Sequence, residues 1–400
     1  ARANTLNTSC LLVSRAATRA EPPCRARTPA ASTRMEPKDD SSLSSRAHEA
    51  TQPPSQVIER LRSRTSAAQR YESKGEVARG GMGAVLRVVD ADLRRVLAMK
   101  VMLDASESDG SASTASATQR RAARFLEEAQ ITGQLDHPGI VPVHELGLDA
   151  EGRLYFTMKL VKGRELREVF ELVRKDEDGW NLPRALGVLL RVCEAMAFAH
   201  EKGVIHRDLK PANVMVGRFG EVYVMDWGLA KVLGRPDQHD VRIATADVSQ
   251  SLVRTERKDL ARAAPDSPLA TMDGDIVGTP CYMAPEQAKG RLEDIGPHSD
   301  VYSLGSMLYQ LLGGTMPYVD GDEKISPHAV LGMLMQGAPR PLAELAPRTP
   351  EELIAICDKA MARDPRARYP NMLGVADDLR AFLEGRVVKA HEHGAVAEFK

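Results

Sequence analysis

The sequence has little of several features that would place it in a specialised class of protein. Aromatic residues make up only 4% of the 400 residues, so a core has to be built from aliphatic side chains and methionine, and the 43% hydrophobic content is enough for one. The five cysteines include no CxxC pair, which disfavours a disulfide framework or a zinc site and is typical of a reducing cytoplasm. No run of about 18 apolar residues occurs, so we expect no membrane span in this chain.

The net charge of −1 gives no reason to expect nucleic acid or an anionic membrane as the main partner. The charge is unevenly distributed, because residues 1–70 hold 12 Lys/Arg against 6 Asp/Glu in a stretch rich in Ser, Thr, Ala and Pro. We predict a disordered N-terminal segment over 1–70. Residues 1–34, with six arginines and one acid, resemble a transit peptide, and the alternative is that Met35 is the true start.

The remainder of the chain changes character at about Gly163. Before it, glycine-punctuated strand patterns alternate with a polar insertion at 105–119 and a helical pattern at 124–135. A hairpin pattern surrounds the turn DAEG. After it come long apolar helical stripes, one of which ends at Gly313 and Gly314. A strand-rich part followed by a helix-rich part predicts an α+β protein with two lobes and a ligand cleft between them.

The stretch HRDLKPANVMV, from 206 to 216, concentrates chemically different polar groups. Asp208 and Asn213 have the spacing D-x-x-x-x-N, which suits a carboxylate that receives a hydroxyl proton and an amide oxygen that holds a divalent cation. Lys210, between them, can neutralise charge on a transferring phosphoryl group. A charged surface turn is the simpler alternative, but the apolar flanks are typical of buried strand edges.

A glycine-rich stretch, VARGGMGAV, occupies 77–85. Glycines allow backbone N–H groups to approach phosphate oxygens closely, because no Cβ intervenes. By itself the stretch is a weak signal, and a glycine-rich hairpin turn explains it equally well.

Two further charged residues stand in apolar surroundings. Lys100 interrupts an apolar run in VLAMKVM, where a charge needs an anionic partner, and Glu128 on the predicted helix is the natural candidate. Asp226 ends a strand pattern and precedes Trp227 and Gly228, so its carboxylate can bind Mg²⁺ where the chain turns. Trp227 is equally interpretable as a core aromatic.

Taken in order, these motifs resemble those of the eukaryotic-type (Hanks-type) protein kinase superfamily, and the chain is most similar to its bacterial serine/threonine kinases. The resemblance covers about residues 71–384. Its motifs are the glycine loop at 78–85, AMK ending at Lys100, Glu128, HRDLKPAN at 206–213, DWG at 226–228, GTPCYMAPEQ at 278–287, SDVYSLG at 299–305 and RDPRARYP at 363–370. It implies a bilobal protein kinase domain at 71–386, with a β-rich N-lobe (71–158), a mainly helical C-lobe (162–386) and a tail at 387–400.

The resemblance also implies a role for each matching residue. The implied catalytic residues are Asp208, Lys210, Lys100, Glu128 and Thr279, and the implied ligands of Mg²⁺, or of Mn²⁺, are Asn213 and Asp226. The implied ATP-binding residues are Ala78, Gly80, Gly81, Gly83, Val85, Ala98, Lys100, Met158 (the gatekeeper), Leu160 (in the hinge) and Met215. The implied structural or regulatory residues are His206, Arg207, Trp227, Gly228, Thr271, Glu286, Asp300 and Arg368, with Glu286 and Arg368 forming a buried ion pair.

The chain departs from the family pattern at three of these places. Ala78 replaces a glycine, from which we expect a modest loss of nucleotide affinity. Trp227 replaces phenylalanine, which would bias the balance between active and inactive forms. Ala212 stands where kinases directed to basic substrates have an acid, so no such preference is indicated.

One regulatory site is indicated in the segment before GTPCYMAPEQ. A phosphate on Thr271 would neutralise Arg207 and order the segment, while a polar insertion at about 236–270 is expected to be disordered.

Two other activities compete with a protein kinase. A pseudokinase would lack a catalytic group, and a small-molecule kinase would lack the GTPCYMAPEQ segment, which docks polypeptides. The sequence therefore predicts a serine/threonine kinase that uses ATP and phosphorylates proteins, its own activation segment included, in the cytoplasm. The oligomeric state is not indicated, and a longer natural chain could be membrane-anchored.

Overall fold

The computed structural model describes residues 70–80, 83–103, 115–233, 280–319 and 325–391. All of them belong to one compact unit, Arg60–Lys400. The predictions made for residues 1–69, for 236–270, and for Gly81, Thr271 and Thr279 lie outside the described residues.

The first part of the described chain is an antiparallel five-stranded sheet with the strand order β1-β2-β3-β5-β4. Its strands are β1 (Tyr71–Gly80), β2 (Gly83–Asp90), β3 (Arg95–Met102), β4 (Val143–Leu148) and β5 (Leu154–Lys159). The β4–β5 hairpin confirms the hairpin predicted around DAEG, and it pairs Leu148 with Leu154.

Helix α1 (Ala115–Gln134) connects β3 to β4. It begins nine residues before the predicted start at 124, so the predicted polar insertion at 105–119 includes its first residues. The first two turns carry no large apolar side chains, and hydrophobic periodicity is the signal from which a helix start is inferred. The later turns bury Phe125 and Ala129 against Ala98 and Phe156 of the sheet.

The second part is mainly helical and contains the largest hydrophobic cluster. Its helices are α2 (Leu166–Lys175), α3 (Leu182–Glu201), α4 (Pro285–Ala288), α5 (Pro297–Gly313), α6 (Pro327–Gln336), α7 (Leu342–Leu345), α8 (Glu351–Ala360) and α9 (Met372–Leu383). Helix α3 begins at the cap Asn181, whose side chain accepts a hydrogen bond from the Arg184 amide. Helix α5 ends at Gly314, in the left-handed conformation (φ 74°), as its sequence predicts. A sheet followed by a helical part confirms the α+β, two-lobed fold.

Two small sheets lie in the helical part. One has the order β6-β8-β9, formed by Gly163–Glu165, Val214–Gly217 and Val222–Val224. The other pairs β7 (Val204–Ile205) with β10 (Lys231–Val232). The loop between β7 and β8 is the segment that contains HRDLKPAN, so strand pairing holds this loop at both ends.

A buried ion pair connects α4 with the turn that precedes α9. Arg368 donates to both carboxylate oxygens of Glu286, at 2.7 and 2.8 Å, and the Ser299 hydroxyl donates to the same carboxylate at 2.7 Å. The Glu286 and Arg368 side chains are 4% and 0% exposed. Because every oxygen of the buried carboxylate has a partner, the pair fixes α4 against α5.

The packed chain continues past residue 386, where the kinase resemblance places the end of the domain. Val388 and Ala390 are buried in the main cluster. The backbone amides of Lys389 and Ala390 donate to the buried Asp378 carboxylate, which also accepts from Tyr369. Within the described ranges, no helix is both long and apolar enough to cross a bilayer.

Removal of one member of the buried ion pair should destabilise the fold strongly. Arg368→Met leaves the Glu286 carboxylate buried and uncompensated, so we expect the free energy of unfolding to fall by about 3–5 kcal/mol. Urea unfolding followed by circular dichroism measures it. Arg380→Met is the control, since Arg380 joins Glu194 on α3 at 2.9 Å but is 37% exposed, and its loss should cost below about 1 kcal/mol. Equal effects of the two substitutions would contradict the assignment.

The same carboxylate should make stability depend on pH. Burial raises the pKa of Glu286, but the Arg368 hydrogen bonds outweigh burial and hold this pKa below its usual value. A lowered folded-state pKa means that the stabilisation is present above about pH 4.3, the unfolded value, and is lost as pH falls through the folded one. We expect the free-energy difference between wild type and Glu286→Gln to shrink from pH 7 towards acid, and a pH-independent difference would contradict this.

Candidate active site

The loop between β7 and β8 brings three of the predicted residues together. Proline at 211 starts the short 3₁₀ helix Pro211–Asn213, which orients the Asn213 side chain back towards Asp208. The Asn213 amide donates to the Asp208 carbonyl at 2.8 Å and to its carboxylate at 3.1 Å. Lys210 Nζ lies 3.0 Å from the same carboxylate. The loop therefore presents a carboxylate, an ammonium and an amide oxygen at one place.

Strand pairing brings Asp226 next to this loop. Val214 pairs with Val224, and the Met225 amide donates to the Asn213 carbonyl at 2.8 Å. Asp226 follows at once, with a left-handed backbone (φ 57°) that a non-glycine residue adopts only when its surroundings hold it. Its carboxylate is directed out of the strand and is 51% exposed.

The sheet of the first part contributes the remaining charged groups. Lys100 on β3 lies 2.6 Å from Glu128 on α1 and 3.8 Å from Asp226. Lys100 thus contacts a carboxylate in each of the two parts of the chain. The contacts bring together Lys100, Glu128, Asp208, Lys210, Asn213 and Asp226.

The charges of these groups affect each other's ionisation. Burial would lower the pKa of Lys100, but Glu128 and Asp226 outweigh it, so the pKa is raised and the side chain is a cation. The surrounding protein partly dehydrates Asp226, which would raise its pKa, but Lys100 outweighs this and holds the pKa below its usual value, so Asp226 is an anion. Burial raises the pKa of Asp208 more than Lys210 lowers it. Asp226 and Asp208 therefore differ in basicity. The lower pKa suits Asp226 to binding a cation, and the higher pKa suits Asp208 to accepting a proton.

Apolar side chains form a wall beside these charges. Val85, Ala98, Met158 and Leu160 belong to one hydrophobic cluster. Met215, on β8, is not part of this cluster and lines a separate cavity of about 540 Å³, whose other residues are mainly charged side chains of β6 and α2. Such a wall suits a flat apolar ligand such as a purine ring.

The glycine-rich hairpin pairs Ala78 with Val85 and Gly80 with Gly83. A Cβ on Gly83 would lie 2.5 Å from the Val101 carbonyl oxygen, so the strand packing itself requires glycine there. A Cβ on Gly80 would meet no atom within 4 Å, so the described protein atoms do not require glycine at that position. Gly81 lies outside the described residues.

Asp300, at the start of α5, holds the backbone that precedes Asp208. Its carboxylate accepts from the His206 amide at 2.8 Å, from the Arg207 amide at 2.9 Å and from the His200 ring at 2.8 Å. Burial would raise the pKa of Asp300, but the His200 hydrogen bond outweighs it and the pKa is lowered. The buried carboxylate is fully occupied in holding the loop.

Trp227 lies under this loop. It is 1% exposed, and its ring is 4.7 Å from the His206 ring. His206 Nε2 is 3.0 Å from the Met225 carbonyl, while the Asp208 amide donates to Nδ1 at 3.3 Å. The Gly228 amide donates to the carboxylate of Asp226. Trp227 is thus a core aromatic and also a neighbour of the charged cluster.

The donor set is suited to a hard divalent cation only in combination with a ligand. Asn213 and Asp226 supply oxygen atoms, which Mg²⁺ prefers. In the part of the chain that the structure describes, no group of three or more His, Cys, Asp or Glu side chains could hold a metal ion by itself. Two protein oxygens with the rest from phosphate and water is the usual arrangement where Mg²⁺ accompanies a nucleotide.

Two residues at the site were not predicted from the sequence. His200 lies in the last turn of α3, at the end of its apolar face. A single polar side chain on a buried stripe indicates a buried polar partner, and this was the signal available in the sequence. Gln287, on α4, donates to the Arg207 carbonyl at 2.9 Å, and no pattern in the sequence indicates that contact.

Comparison with known proteins places this geometry in a family. Residues 71–377 match the protein kinase domain. The serine/threonine-protein kinase PknD of Protochlamydia amoebophila is 32% identical over 79% of this chain and 30% of its own length. A probable serine/threonine-protein kinase of Streptomyces coelicolor is 33% identical over 80% of this chain and 41% of its own length. Another from Corynebacterium efficiens is 33% identical over 81% of this chain and 43% of its own length.

The chain spans less than half the length of each of these relatives. The matched region runs from the start of β1 to the middle of α9 and contains every element that carries the charged cluster. The chain belongs to the protein kinase domain family and is related to bacterial serine/threonine-protein kinases.

Proposed function

We propose that this chain is a serine/threonine protein kinase that transfers the γ-phosphoryl group of ATP to hydroxyl groups of protein substrates. One observation carries the proposal, namely that Lys100, Asp208 and Asp226 converge although more than 100 residues separate the first from the other two. Structural ion pairs rarely need a third charged group and a half-exposed carboxylate beside them. A phosphoryl-transfer site needs both.

The nucleotide would lie between the glycine hairpin and β8. Val85 and Ala98, from the apolar cluster, and Met215 would enclose the adenine, with Met158 as gatekeeper and Leu160 in the hinge. Lys100, held by Glu128, neutralises charge on the α- and β-phosphates. Backbone amides around Ala78, Gly80 and Gly83, with Gly81, cover the phosphates.

Asn213 and Asp226 would hold the divalent cation, with Mg²⁺ as the primary choice and Mn²⁺ as an alternative. The bound cation supplies neutralisation of phosphate charge. Asn213 is suited to this, because its amide nitrogen donates to Asp208 and so leaves its oxygen for a ligand. Asp226 is suited because its carboxylate is ionised and half exposed.

Asp208 would orient the substrate hydroxyl and accept its proton. Its raised pKa makes it a better proton acceptor than an exposed aspartate. Lys210, 3.0 Å away, would neutralise the phosphoryl group as it leaves ATP. Thr279 would steady both residues, and it lies outside the described residues.

Protein substrates are favoured over small molecules because of the segment Pro280–Ala288. The buried residues Cys281, Tyr282, Ala284 and Glu286 fix this segment to the helical part, next to the loop that contains Asp208. Such a segment adds a surface for a polypeptide beside the transferring group. Phosphorylation of the chain's own Thr271, with Arg207 as the cation that receives the phosphate, is the regulatory part of the proposal.

The proposed location is the cytoplasm, and a longer natural chain could carry a membrane anchor. Its support is that the three cysteines in the described ranges, Cys193, Cys281 and Cys357, are buried free thiols. Protein substrates and ATP are the proposed partners, and nucleic acid is not among them.

Asp208→Asn should abolish phosphoryl transfer while preserving nucleotide binding. Loss of the proton acceptor should lower kcat by at least about 100-fold, since the amide cannot accept the hydroxyl proton. The measurement is transfer from γ-labelled ATP with Mg²⁺ to the chain itself and to a Ser/Thr peptide library. Asp377→Asn, at an exposed aspartate of α9, is the control and should keep wild-type activity. An inactive wild-type chain would instead indicate a pseudokinase.

Glu128→Gln should weaken catalysis through Lys100. The substitution removes the carboxylate 2.6 Å from Lys100, which is then free to move towards Asp226 and away from the phosphates. We expect kcat to fall about 10- to 100-fold. Glu127→Gln, at the neighbouring position on the same helix, is the matched control. If both variants kept full activity, the role assigned to the Lys100–Glu128 pair would be wrong.

A further inference from the structure

Gln287 bridges two segments that meet at the candidate active site. Its side-chain oxygen accepts from the Ala284 amide at 3.2 Å, at the start of α4. Its side-chain nitrogen donates to the Arg207 carbonyl at 2.9 Å, 80 residues earlier in the chain. A terminal amide is the side-chain group that can do both, because it holds an acceptor and donors on one carbon.

The Arg207 carbonyl is part of the peptide unit that joins Arg207 to Asp208. Arg207 has a left-handed backbone (φ 67°), which costs energy for a residue with a Cβ and persists only when neighbouring groups hold it. The peptide before Arg207 is held by Asp300, whose carboxylate accepts from the Arg207 amide at 2.9 Å. The Arg207 guanidinium donates to the Leu229 carbonyl at 2.6 Å. Neither contact acts on the peptide that leads into Asp208.

That second peptide has two described contacts. Its N–H, on Asp208, donates to His206 Nδ1 at 3.3 Å, which is a long hydrogen bond. Its C=O accepts from Gln287 at 2.9 Å. Since a peptide unit is planar, holding the C=O fixes the direction of the N–H and of the Cα that follows. Of the two described hydrogen bonds on the Arg207–Asp208 peptide, the one from Gln287 is therefore the shorter.

The backbone of Gln287 is itself held in place. Gln287 follows Glu286, whose buried carboxylate is joined to Arg368 and to Ser299. A displacement of α4 would therefore either break that ion pair or be resisted by it. Because the Gln287 side chain on α4 donates to the Arg207 carbonyl, a shift of α4 would change the orientation of the Arg207–Asp208 peptide.

We propose that Gln287 is a positioning residue that couples the Pro280–Ala288 segment to the orientation of Asp208. The inference rests on the proposed function, in which Asp208 accepts the substrate proton and Pro280–Ala288 lies beside the polypeptide. Gln287 touches neither nucleotide nor reacting atoms. It acts on kcat, while Lys100 and the apolar wall, which bind the nucleotide, are left unchanged.

Two substitutions separate this role from simple capping of α4. Gln287→Glu keeps the oxygen that accepts from the Ala284 amide, but it loses the donor and places a carboxylate oxygen against the Arg207 carbonyl. Gln287→Met keeps the approximate length of the side chain and loses both hydrogen bonds. Gln134→Glu is the matched control, because the exposed Gln134 amide also donates to a backbone carbonyl, that of Gln130 at 2.8 Å.

The first measurement is steady-state kinetics with γ-labelled ATP, Mg²⁺ and a Ser/Thr peptide library. We expect both Gln287 variants to lose about 10- to 100-fold in kcat, the effect of misplacing a reacting group by about 1 Å, with KM for ATP within about twofold of wild type. Gln134→Glu should match wild type. If Gln287→Glu matched wild type while Gln287→Met was impaired, Gln287 would be only a cap, and the proposal would be overturned.

The second measurement, amide hydrogen exchange, does not depend on activity. Faster exchange in peptides that cover 204–213 of Gln287→Glu, with exchange in α5 unchanged, is the expected result. Unchanged exchange at 204–213 would overturn the proposal. If the wild-type chain transferred no phosphate, the proposed function would fail and hydrogen exchange would still decide the coupling. If the melting temperature of Gln287→Glu fell far below that of wild type, the same two measurements would be made on Gln287→Met. Wild-type kcat and wild-type exchange at 204–213 in that variant would overturn the proposal.

Discussion

The buried carboxylate of Asp300 is the constraint on which the rest of the site depends. It lies at the start of α5, is fully enclosed, and satisfies its oxygens with two successive backbone amides, those of His206 and Arg207, and with His200. A buried charge is tolerated only when its partners stay in place, so the helix and the loop cannot move independently. The left-handed Arg207 lies between two held peptides, because its amide donates to Asp300 and its carbonyl accepts from Gln287.

From this point, two routes of contact reach Asp208, and they start from different parts of the helical core. One runs from α5 through Asp300 to the amide of Arg207, and the other runs from Arg368 through Glu286 and Gln287 to the carbonyl of Arg207. The sheet side is joined to the cluster by the ion pair of Lys100 with Asp226, at 3.8 Å, and the Val224 amide donates to the Gly139 carbonyl at 2.8 Å. The loop between β7 and β8 is therefore held by hydrogen bonds from the helical side, while Lys100 reaches Asp226 from the sheet at a distance longer than a hydrogen bond.

The sequence was informative wherever a local physical conflict indicated a distant partner. A lysine inside an apolar run requires an anion, which led from Lys100 to Glu128, and paired glycines after an apolar stripe require a helix end, as found at Gly314. It was uninformative where folding alone brings groups together. The bond from Gln287 to Arg207 and that from His200 to Asp300 join residues 80 and 100 positions apart. The start of α1 and the buried Ala390 were missed because polar or small residues give little periodic signal.

The replacement of phenylalanine by Trp227 adds a conflict inside this rigid frame. The indole Nε1–H is buried with no hydrogen-bond acceptor among the described residues, and such a loss costs about 1–3 kcal/mol. The tilted contact with the His206 ring offsets only part of this cost, since an aromatic pair contributes about 0.5–1.5 kcal/mol beyond its burial. The preceding residue, Asp226, is held independently by Lys100, at 3.8 Å, and by the Gly228 amide. A phenylalanine at this position would bury no donor, so the cost of the N–H without a described acceptor is specific to the tryptophan.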